Sequence, residues 1–445
     1  MLVEGKRLFG TDGVRGVANT ELTPEFTTDL GRAAGSLLSD GPVLIGRDTR
    51  RSGEMLSLAL QAGFHSAGID TTDVGIITSG AISHLTAATS ATLGAVVSAS
   101  HNPAEDNGIK LLAGDGTKLS DQQEDEVEAR MRAGAARKLA VGPTVGTRYP
   151  VPDAMDRYLQ HLTASIGYSL HGLELAVDCA NGAAYQAAPL LFERLGATAE
   201  IFNNLPDGLN INAGCGATTP EFISAHARGR IGLSFDGDAD RLIAVDETGK
   251  VVNGDGVMAV IARHWKRNGR LPGDKLVTTV MSNLGFHKAM TEMGIEVIET
   301  KVGDRYVLEA MLANGAKLGG EQSGHVIFLD RARTGDGLLT ALRLLEVVAG
   351  TGRTLASLAS EAMTTFPQVL RNVPVPNPIS VNDAVAVWSA VETASSELGD
   401  SGRILVRPSG TEPYVRVMVE AASQEIAGSY AERLAAVVAA EIGRR

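Results

Sequence analysis

The chain has 445 residues, too many for one compact domain, and its length predicts roughly three domains. Hydrophobic residues make up 44% and charged residues 21%, and the formal net charge is −12. This acidic balance argues against non-specific binding to nucleic acids or to anionic membranes. The only cysteines are Cys179 and Cys215, which excludes a disulfide framework or a cysteine-based zinc site. We expect a reduced, cytoplasmic setting without a signal peptide, because the first ten residues, MLVEGKRLFG, contain no apolar run.

Short apolar runs alternate with helical patterns over residues 1–152, the predicted first domain. Residues 42–45 (PVLI) predict a buried strand, followed by a GRDTR loop and a helix over 53–67. A second strand is predicted at 93–98 and a helix at 121–132. The stretch 133–152 is rich in Ala, Gly and Pro and predicts a domain boundary.

Three further domains are predicted over 153–252, 253–368 and 369–445. Their predicted elements are the helix 153–166, the strand LELAVD, the turn Asn181-Gly182, the strand IGLSF, the segments KLVTTV, EVIET and KLGGEQSG, the helix 382–397, the strands GRILVR and YVRVMVEA, and a helix from Gln424. Strands that alternate with helices of 10–15 residues predict α/β units with largely parallel sheets. Such sheets bind ligands beyond the carboxyl ends of their strands.

Two candidate loops follow directly after predicted strands. In SASHNP (98–103), Pro103 stiffens a polar loop that presents the hydroxyl of Ser100, although a simple capping turn would use the same residues. A hydrolase is disfavoured because the G-x-S-x-G elbow is absent. In DGDADR (236–241), three carboxylates at alternate positions repel one another unless a cation lies between them. Oxygen ligands alone favour Mg²⁺ or Ca²⁺, and an EF-hand is excluded because Arg241 replaces its obligatory glycine.

Two further loops have the composition of ligand-binding turns. GGEQSGH (319–325) places a carboxylate and a hydroxyl among small residues, which suits sugar hydroxyls but also an ordinary glycine-rich turn. RPSGTEPYVR (407–416) combines hydroxyls and backbone N–H groups with two flanking arginines, which suits a phosphate, although a hairpin with surface arginines is the alternative. No nucleotide-binding glycine motif is present. Together, a hydroxyl, a hard-metal site, a sugar loop and a phosphate loop predict phosphoryl transfer on a phosphosugar.

The set SASHNP, DGDADR, GEQSGH and RPSGTEP, in this order along the whole chain, resembles the α-D-phosphohexomutase superfamily. LFGTDGVRG at 8–16 and the serine and sugar loops look like its bacterial branch that acts on glucosamine phosphate. The resemblance implies four domains around a central cleft: three similar mixed α/β domains and a C-terminal α+β domain like the TATA-binding protein. It implies interconversion of glucosamine 6-phosphate and glucosamine 1-phosphate through a phosphoserine and a 1,6-bisphosphate, a step toward UDP-N-acetylglucosamine and the cell wall.

The resemblance also implies roles for individual residues. Ser100 would be the phosphoserine, and Mg²⁺ would be held by its phosphate oxygen with Asp236, Asp238 and Asp240. Glu321 and Ser323 would bind sugar hydroxyls. The phosphate that does not react would be held by Arg407, Ser409, Gly410, Thr411 and Arg416. Lys110, His101 and His325 are candidates for proton transfer, and Arg15 and Arg241 for electrostatic support.

Three other functions stay open at this stage. A phosphoglucomutase or phosphomannomutase would use the same chemistry, since only the amino group at C2 distinguishes glucosamine from glucose. A Mg²⁺-dependent sugar phosphatase would release inorganic phosphate and would more typically use an aspartate nucleophile. A non-catalytic phosphosugar sensor would not need Ser100. We expect a small phosphosugar as the ligand, a monomer or a homodimer, and no partner among nucleic acids or membranes.

Overall fold

The computed structural model describes residues 7–10, 12–134, 139–409 and 413–443. The chain divides into two compact units, one over Met1–Met281 and Gly294–Ala362, the other over Ser282–Met293 and Met363–Arg445. None of the helices in the described part of the chain combines the length and the apolar character that crossing a membrane requires. The domain boundaries at 152, 252 and 368 stay predictions.

The first sheet has six strands in the order β1-β5-β4-β2-β3-β6. Its elements are β1 (Val14–Val17), α1 (Pro24–Gly35), β2 (Val43–Arg47), α2 (Arg51–Ser66), β3 (Thr71–Ile76), α3 (Ser79–Ala88), β4 (Leu93–Val97), β5 (Asp106–Ala113), α4 (Asp121–Arg132) and β6 (Arg148–Pro150). Strands β4, β2, β3 and β6 are parallel, whereas β5 is antiparallel to β4 and β1. The buried residues of β2 and β4 pack against α1 and α2 in one core.

The second and third sheets repeat this plan of parallel strands with antiparallel pairing at one edge. The second, in the order β11-β10-β9-β7-β8, comprises α5 (Ala154–Thr163), β7 (Glu174–Asp178), α6 (Ala184–Arg194), β8 (Thr198–Phe202), α7 (Pro220–His226), β9 (Ile231–Phe235), β10 (Leu242–Val245) and β11 (Val251–Val252). The third sheet has the order β13-β12-β14-β15. The elements of its part of the chain are α8 (Gly254–Arg267), β12 (Lys275–Thr279), α9 (Leu284–Glu292), β13 (Glu296–Thr300), α10 (Asp304–Asn314), β14 (Leu318–Gly320), β15 (Val326–Phe328), α11 (Gly337–Thr351) and α12 (Leu355–Ala362).

The C-terminal sheet is entirely antiparallel, in the order β16-β18-β17. Its elements are β16 (Gln368–Pro374), α13 (Val385–Leu398), β17 (Gly402–Pro408), β18 (Tyr414–Ala421) and α14 (Gln424–Ile442). Helix α9 belongs to the same compact unit, because the buried Glu420 accepts hydrogen bonds from Asn283 Nδ2 (3.1 Å) and Leu284 N (2.8 Å).

The predicted fold class is confirmed: three mixed sheets, each accompanied by helices, precede a smaller α+β domain. Helix α4 has the predicted bounds, and β9 ends just before Asp236, as predicted. The GRDTR segment is not entirely a loop, because Gly46 and Arg47 continue β2 and pair with both β3 and β4. The first three sheets are largely parallel, as predicted, but each also has antiparallel pairing at one edge.

Helices α1 and α2 approach closely where glycines face each other's backbone. A Cβ at Gly63 would overlap the carbonyl oxygen of Thr28, and one at Gly31 would overlap that of Leu60. We expect Gly63→Ala to lower the free energy of unfolding by about 1–3 kcal/mol, because overpacking outweighs the gain in helix propensity. Gly428→Ala in α14, where a Cβ meets nothing within 4 Å, is the control and should stabilise the protein slightly. Urea denaturation of both variants measures the difference, and equal effects would contradict this packing.

Candidate active site

Ser100 lies just beyond the carboxyl end of β4, in the predicted serine loop. Its side chain is buried, and its Oγ donates a hydrogen bond to Asp236 Oδ2 at 2.5 Å. His101 Nδ1 is 3.3 Å from Ser100 Oγ. Ser100 has a φ of 51°, in the left-handed region that residues with a side chain rarely adopt. The surrounding structure must therefore hold this residue in place.

The buried side chain of Arg50 holds the serine loop by donating hydrogen bonds to the backbone carbonyl groups of that loop. Arg50 Nη2 donates to the carbonyl oxygens of Ser100 (2.9 Å) and Asn102 (2.8 Å). Its Nη1 donates to those of Asp106 (2.9 Å) and Pro103. Since the side chain of Arg50 is inaccessible to solvent, its charge is satisfied almost entirely by this loop and by one carboxylate.

That carboxylate is Asp48, from the same GRDTR segment. It lies 2.9 Å from Arg50 Nε and accepts a hydrogen bond from Ser98 Oγ at 2.5 Å. Ser98 Oγ in turn accepts from the backbone N–H of Ser100 at 2.9 Å. Asn212 Nδ2 adds a second donor to the Ser100 carbonyl at 2.9 Å. The conformation of Ser100 is thus fixed at both its N–H and its C=O.

The predicted metal loop concentrates negative charge in the turn between β9 and β10. Carboxylate oxygens of Asp236, Asp238 and Asp240 lie within 4.8 Å of one another, and all three residues are buried. Burial raises the pKa of Asp236 well above its usual range, and repulsion from Asp240 and Asp238 adds to this effect. The arrangement is electrostatically costly without a compensating cation.

Lys110, on β5, supplies part of that compensation. Its Nζ lies 3.1 Å from Asp238 Oδ2, 3.4 Å from Asp240 Oδ2 and 3.1 Å from Asp12 Oδ1. Burial opposes its charge, yet the carboxylates of Asp12, Asp238 and Asp240 raise the Lys110 pKa well above its ordinary value. Lys110 is therefore an ammonium at neutral pH.

The three aspartates fit a hard divalent cation. Asp238 Oδ1 and Asp240 Oδ1 are buried and have no hydrogen-bond partner among the described residues. A buried carboxylate oxygen without a donor is unfavourable, and a cation would satisfy both. Because all the prospective ligand atoms are carboxylate oxygens, the three aspartates suit Mg²⁺ or Ca²⁺ better than softer metals.

Arg15, Arg241 and His101 surround this cluster. Arg15 Nη1 donates to Asn102 Oδ1 at 3.1 Å and pairs with Asp12. The backbone N–H of Arg241 donates to Asp236 Oδ1 at 3.2 Å, and its Nε is 3.8 Å from Asp240 Oδ1. Burial and the nearby Arg241 and Arg15 lower the pKa of His101 to about 4, so its ring is neutral at physiological pH.

The predicted sugar loop lies beside the metal loop. It connects β14 to β15, and Leu242 N, just after the metal loop, donates to Gly324 O at 3.1 Å. Glu321 is half-buried, and its Oε1 accepts from Gly303 N at 3.0 Å. Ser323 is exposed, whereas His325 is buried and its Nε2 accepts from Gly335 N at 3.2 Å. The structure thus brings the serine, metal and sugar loops together in one unit.

The predicted phosphate loop lies in the second unit. Arg407 and Arg416 are directly opposite on the antiparallel strands β17 and β18. Burial and the charge of Arg416 lower the pKa of Arg407, so the pair favours an anion. Ser409 Oγ is buried and, among the described residues, has no hydrogen-bond partner. Gly410 and Thr411 lie outside the described residues.

Sequence reasoning missed several charged residues of this site. Asp12 lies within the quoted LFGTDGVRG motif, so a signal for it existed, but nothing in the sequence marks Lys118 or Asp304. Lys118 Nζ bridges Asp12 Oδ1 (2.7 Å) and Asp304 Oδ2 (2.6 Å). Arg50 and Asp48 lie in the GRDTR segment, which the sequence analysis predicts only as a loop.

Comparison with known proteins identifies the family. Three family models match the chain. They describe alpha/beta/alpha domain I of phosphoglucomutase/phosphomannomutase (residues 6–138), alpha/beta/alpha domain III (residues 253–366) and the C-terminal domain (residues 370–437). A phosphoglucosamine mutase from Desulforudis audaxviator (strain MP104C) is 51% identical, over 98% of this chain and 99% of the relative. One from Rhodococcus opacus (strain B4) is 50% identical, over 97% and 99%.

A solved structure agrees with these matches. A phosphoglucomutase/phosphomannomutase family protein from Burkholderia thailandensis superposes with a TM-score of 0.81 at 26% identity, over 98% of this chain and 97% of that protein. Its similarity extends through all four sheets, because nearly the whole of both chains is covered. The chain therefore belongs to the phosphoglucosamine mutase family of the α-D-phosphohexomutase superfamily.

Proposed function

We propose that the chain interconverts glucosamine 6-phosphate and glucosamine 1-phosphate, with Ser100 as the phosphoryl carrier and glucosamine 1,6-bisphosphate as the intermediate. The 2.5 Å contact between Ser100 Oγ and Asp236 Oδ2 carries this proposal, because it places a hydroxyl against a cluster suited to a divalent cation. The relatives near 50% identity, named phosphoglucosamine mutases, support the choice of an amino sugar.

In this proposal Asp236, Asp238, Asp240 and an oxygen of phosphorylated Ser100 hold Mg²⁺. When bound, the cation offsets the negative charge that develops on the transferring phosphoryl group. The two buried carboxylate oxygens without a hydrogen-bond partner among the described residues, Asp238 Oδ1 and Asp240 Oδ1, support this assignment. Arg15 and Arg241 place two further positive charges around the same group.

The reaction has two phosphoryl transfers. In the first, the bond between phosphorus and Ser100 Oγ breaks as a bond to the free sugar hydroxyl forms, which yields the bisphosphate and an unmodified serine. The hydroxyl loses its proton to a base, and Ser100 Oγ gains one. In the second transfer, Ser100 Oγ loses its proton and bonds to the other phosphorus of the bisphosphate, while the bond from that phosphorus to the sugar oxygen breaks and the sugar oxygen gains a proton. The sugar must turn around between the two steps, since its two ends exchange roles.

The three candidates for proton transfer differ in the proton each holds. Lys110, as an ammonium, can donate a proton or stabilise negative charge. His101 has a neutral ring 3.3 Å from Ser100 Oγ and can accept one. His325 Nε2 is occupied by the Gly335 N–H, so this nitrogen is engaged in holding the loop.

The remaining predicted residues recognise the substrate. Glu321 and Ser323 would bind ring hydroxyls. The phosphate that does not react would bind to Arg407, Ser409, Gly410, Thr411 and Arg416. The paired arginines and the buried Ser409 hydroxyl support an anion at this loop. Either phosphate of the bisphosphate would fit there, because the loop recognises the phosphate and not its position on the sugar.

We expect Ser100→Ala to abolish turnover while the protein folds normally, because the carrier oxygen is removed. Wild type incubated with glucosamine 1,6-bisphosphate should gain the mass of one phosphoryl group, and the variant should gain none. Ser39→Ala, at an exposed position, is the control and should behave as wild type. Near-normal kcat in Ser100→Ala would remove this residue from the mechanism.

A higher kcat/KM for glucose or mannose phosphates than for glucosamine phosphates would replace the proposed substrate, and release of inorganic phosphate would indicate a phosphatase.

We expect EDTA to stop the reaction and added Mg²⁺ to restore it. Asp238→Asn should lower kcat by orders of magnitude at a given Mg²⁺ concentration, because one ligand loses its charge. The exposed Asp400→Asn is the matched control and should leave the rate unchanged. Activity versus Mg²⁺ concentration measures both effects, and full activity in metal-free buffer would refute the cation site.

We expect Arg416→Ala to raise KM and lower kcat, and Arg416→Lys to lie between Ala and wild type, because lysine cannot form a bidentate contact with phosphate. More free bisphosphate should also escape, since the same loop would hold the intermediate while it turns. Arg371→Ala, on the neighbouring strand β16 and paired with Glu432, is the control. Unchanged kcat/KM with no additional free bisphosphate would count against this phosphate site.

A further inference from the structure

A buried hydrogen-bonded pair lies behind the metal loop and has no role in the reaction described so far. The hydroxyl of Tyr158, on α5, is 2.9 Å from Asp336 Oδ1 and 2.8 Å from Asp336 Oδ2. Tyr158 is 0% exposed and Asp336 2% exposed. Because the two residues are 178 positions apart in the chain, their contact joins distant segments.

The backbone on both sides of Asp336 binds active-site loops. Gly337 N donates to the carbonyl oxygen of Ala239 at 2.9 Å, in the middle of the metal loop. Gly335 N donates to His325 Nε2 at 3.2 Å. Asp336 itself caps α11, because its Oδ1 accepts from Leu339 N at 3.0 Å. The residue that Tyr158 binds thus lies directly between these two N–H groups.

The Asp336 carboxylate also packs against the segment that holds the metal loop from the other side. A Cβ at Gly80, at the start of α3, would overlap Asp336 Oδ2. The residue before it, Ser79, donates to Asp238 twice, from its N–H to the carbonyl oxygen (2.9 Å) and from its Oγ to Oδ2 (2.6 Å). The carboxylate that Tyr158 binds therefore lies between the start of α3, which binds Asp238, and the start of α11, which binds Ala239.

We propose that Tyr158 is a positioning residue for the cation site: it holds the Asp336 carboxylate between the start of α11, which binds Ala239, and the start of α3, which binds Asp238. Repulsion among the three carboxylates tends to open the loop, and Ala239 has a left-handed φ of 57° that must be held by its surroundings. Without the phenol oxygen, the carboxylate between the starts of α3 and α11 loses a hydrogen-bond donor, and the loop can relax. The inference rests on the proposed function, since it assumes that the three aspartates bind a cation.

The test measures cation binding directly, without substrate. Mn²⁺ is titrated into the full-length, dephosphorylated protein, and free Mn²⁺ is followed by electron paramagnetic resonance. We expect Tyr158→Phe to weaken Mn²⁺ binding by about tenfold, as is typical when a group that orients metal ligands is removed. At saturating Mg²⁺, the KM for the sugar phosphate should stay within about twofold of wild type. Tyr149→Phe, at an exposed position, is the control and should bind Mn²⁺ as wild type does.

Three results would overturn the inference. Equal Mn²⁺ affinity in wild type and Tyr158→Phe would do so even if the variant melts at a lower temperature, because the pair would then be only structural. An equal loss of affinity in Tyr149→Phe would also do so. A wild type that binds no Mn²⁺ would overturn the proposed cation site as well.

If Tyr158→Phe does not fold, Asp336→Asn serves instead, because its Oδ1 can still cap α11 while its contact with Tyr158 changes. The same tenfold loss is expected, and unchanged affinity would again contradict the inference.

Discussion

Repulsion among three buried carboxylates is the constraint that organises this protein. Asp236, Asp238 and Asp240 project from one tight turn, and all three are buried. Each ionised carboxylate in such a place needs positive charge or hydrogen-bond donors within a few ångströms. The structure supplies them from several segments, so the acidic turn determines which parts of the chain must meet.

The donors come from parts of the chain that are distant in sequence. Lys110 approaches from β5, Ser79 from the start of α3, and Ser100 from the loop after β4. Asp12 lies against Lys110 and Lys118 in turn, and the site continues outward as alternating charges. Such a network is stable only when every member is present, since removing one leaves another buried and unpaired.

Ser100 and Ala239 show how local strain is held by this network. Both have positive φ values, in a serine loop and a metal loop that lie in contact. Arg50, Asp48 and Asn212 fix the first, and the start of α11 fixes the second. A Cβ at Gly237 would overlap the Ser100 carbonyl oxygen, so a glycine is required where the two loops touch. Preorganised loops of this kind suit phosphoryl transfer, which depends chiefly on positioning and electrostatics.

The sequence by itself determined the fold class, most of the strands and helices, and the four candidate loops of the site. It could do so because hydrophobic periodicity and turn chemistry are local, and because the four loops, although three of them could each be an ordinary turn, make chemical sense as a set. It did not predict the antiparallel pairing at one edge of each of the first three sheets, since strand direction at a sheet edge depends on pairing across the whole domain. Only the tertiary structure showed that Lys110 stays charged, that Arg50 holds Ser100 by its carbonyl, and that Tyr158 meets Asp336. Each of these is a contact between residues tens to hundreds of positions apart, and burial, which decides their charge and strength, is a property of the packed chain and not of any segment of it.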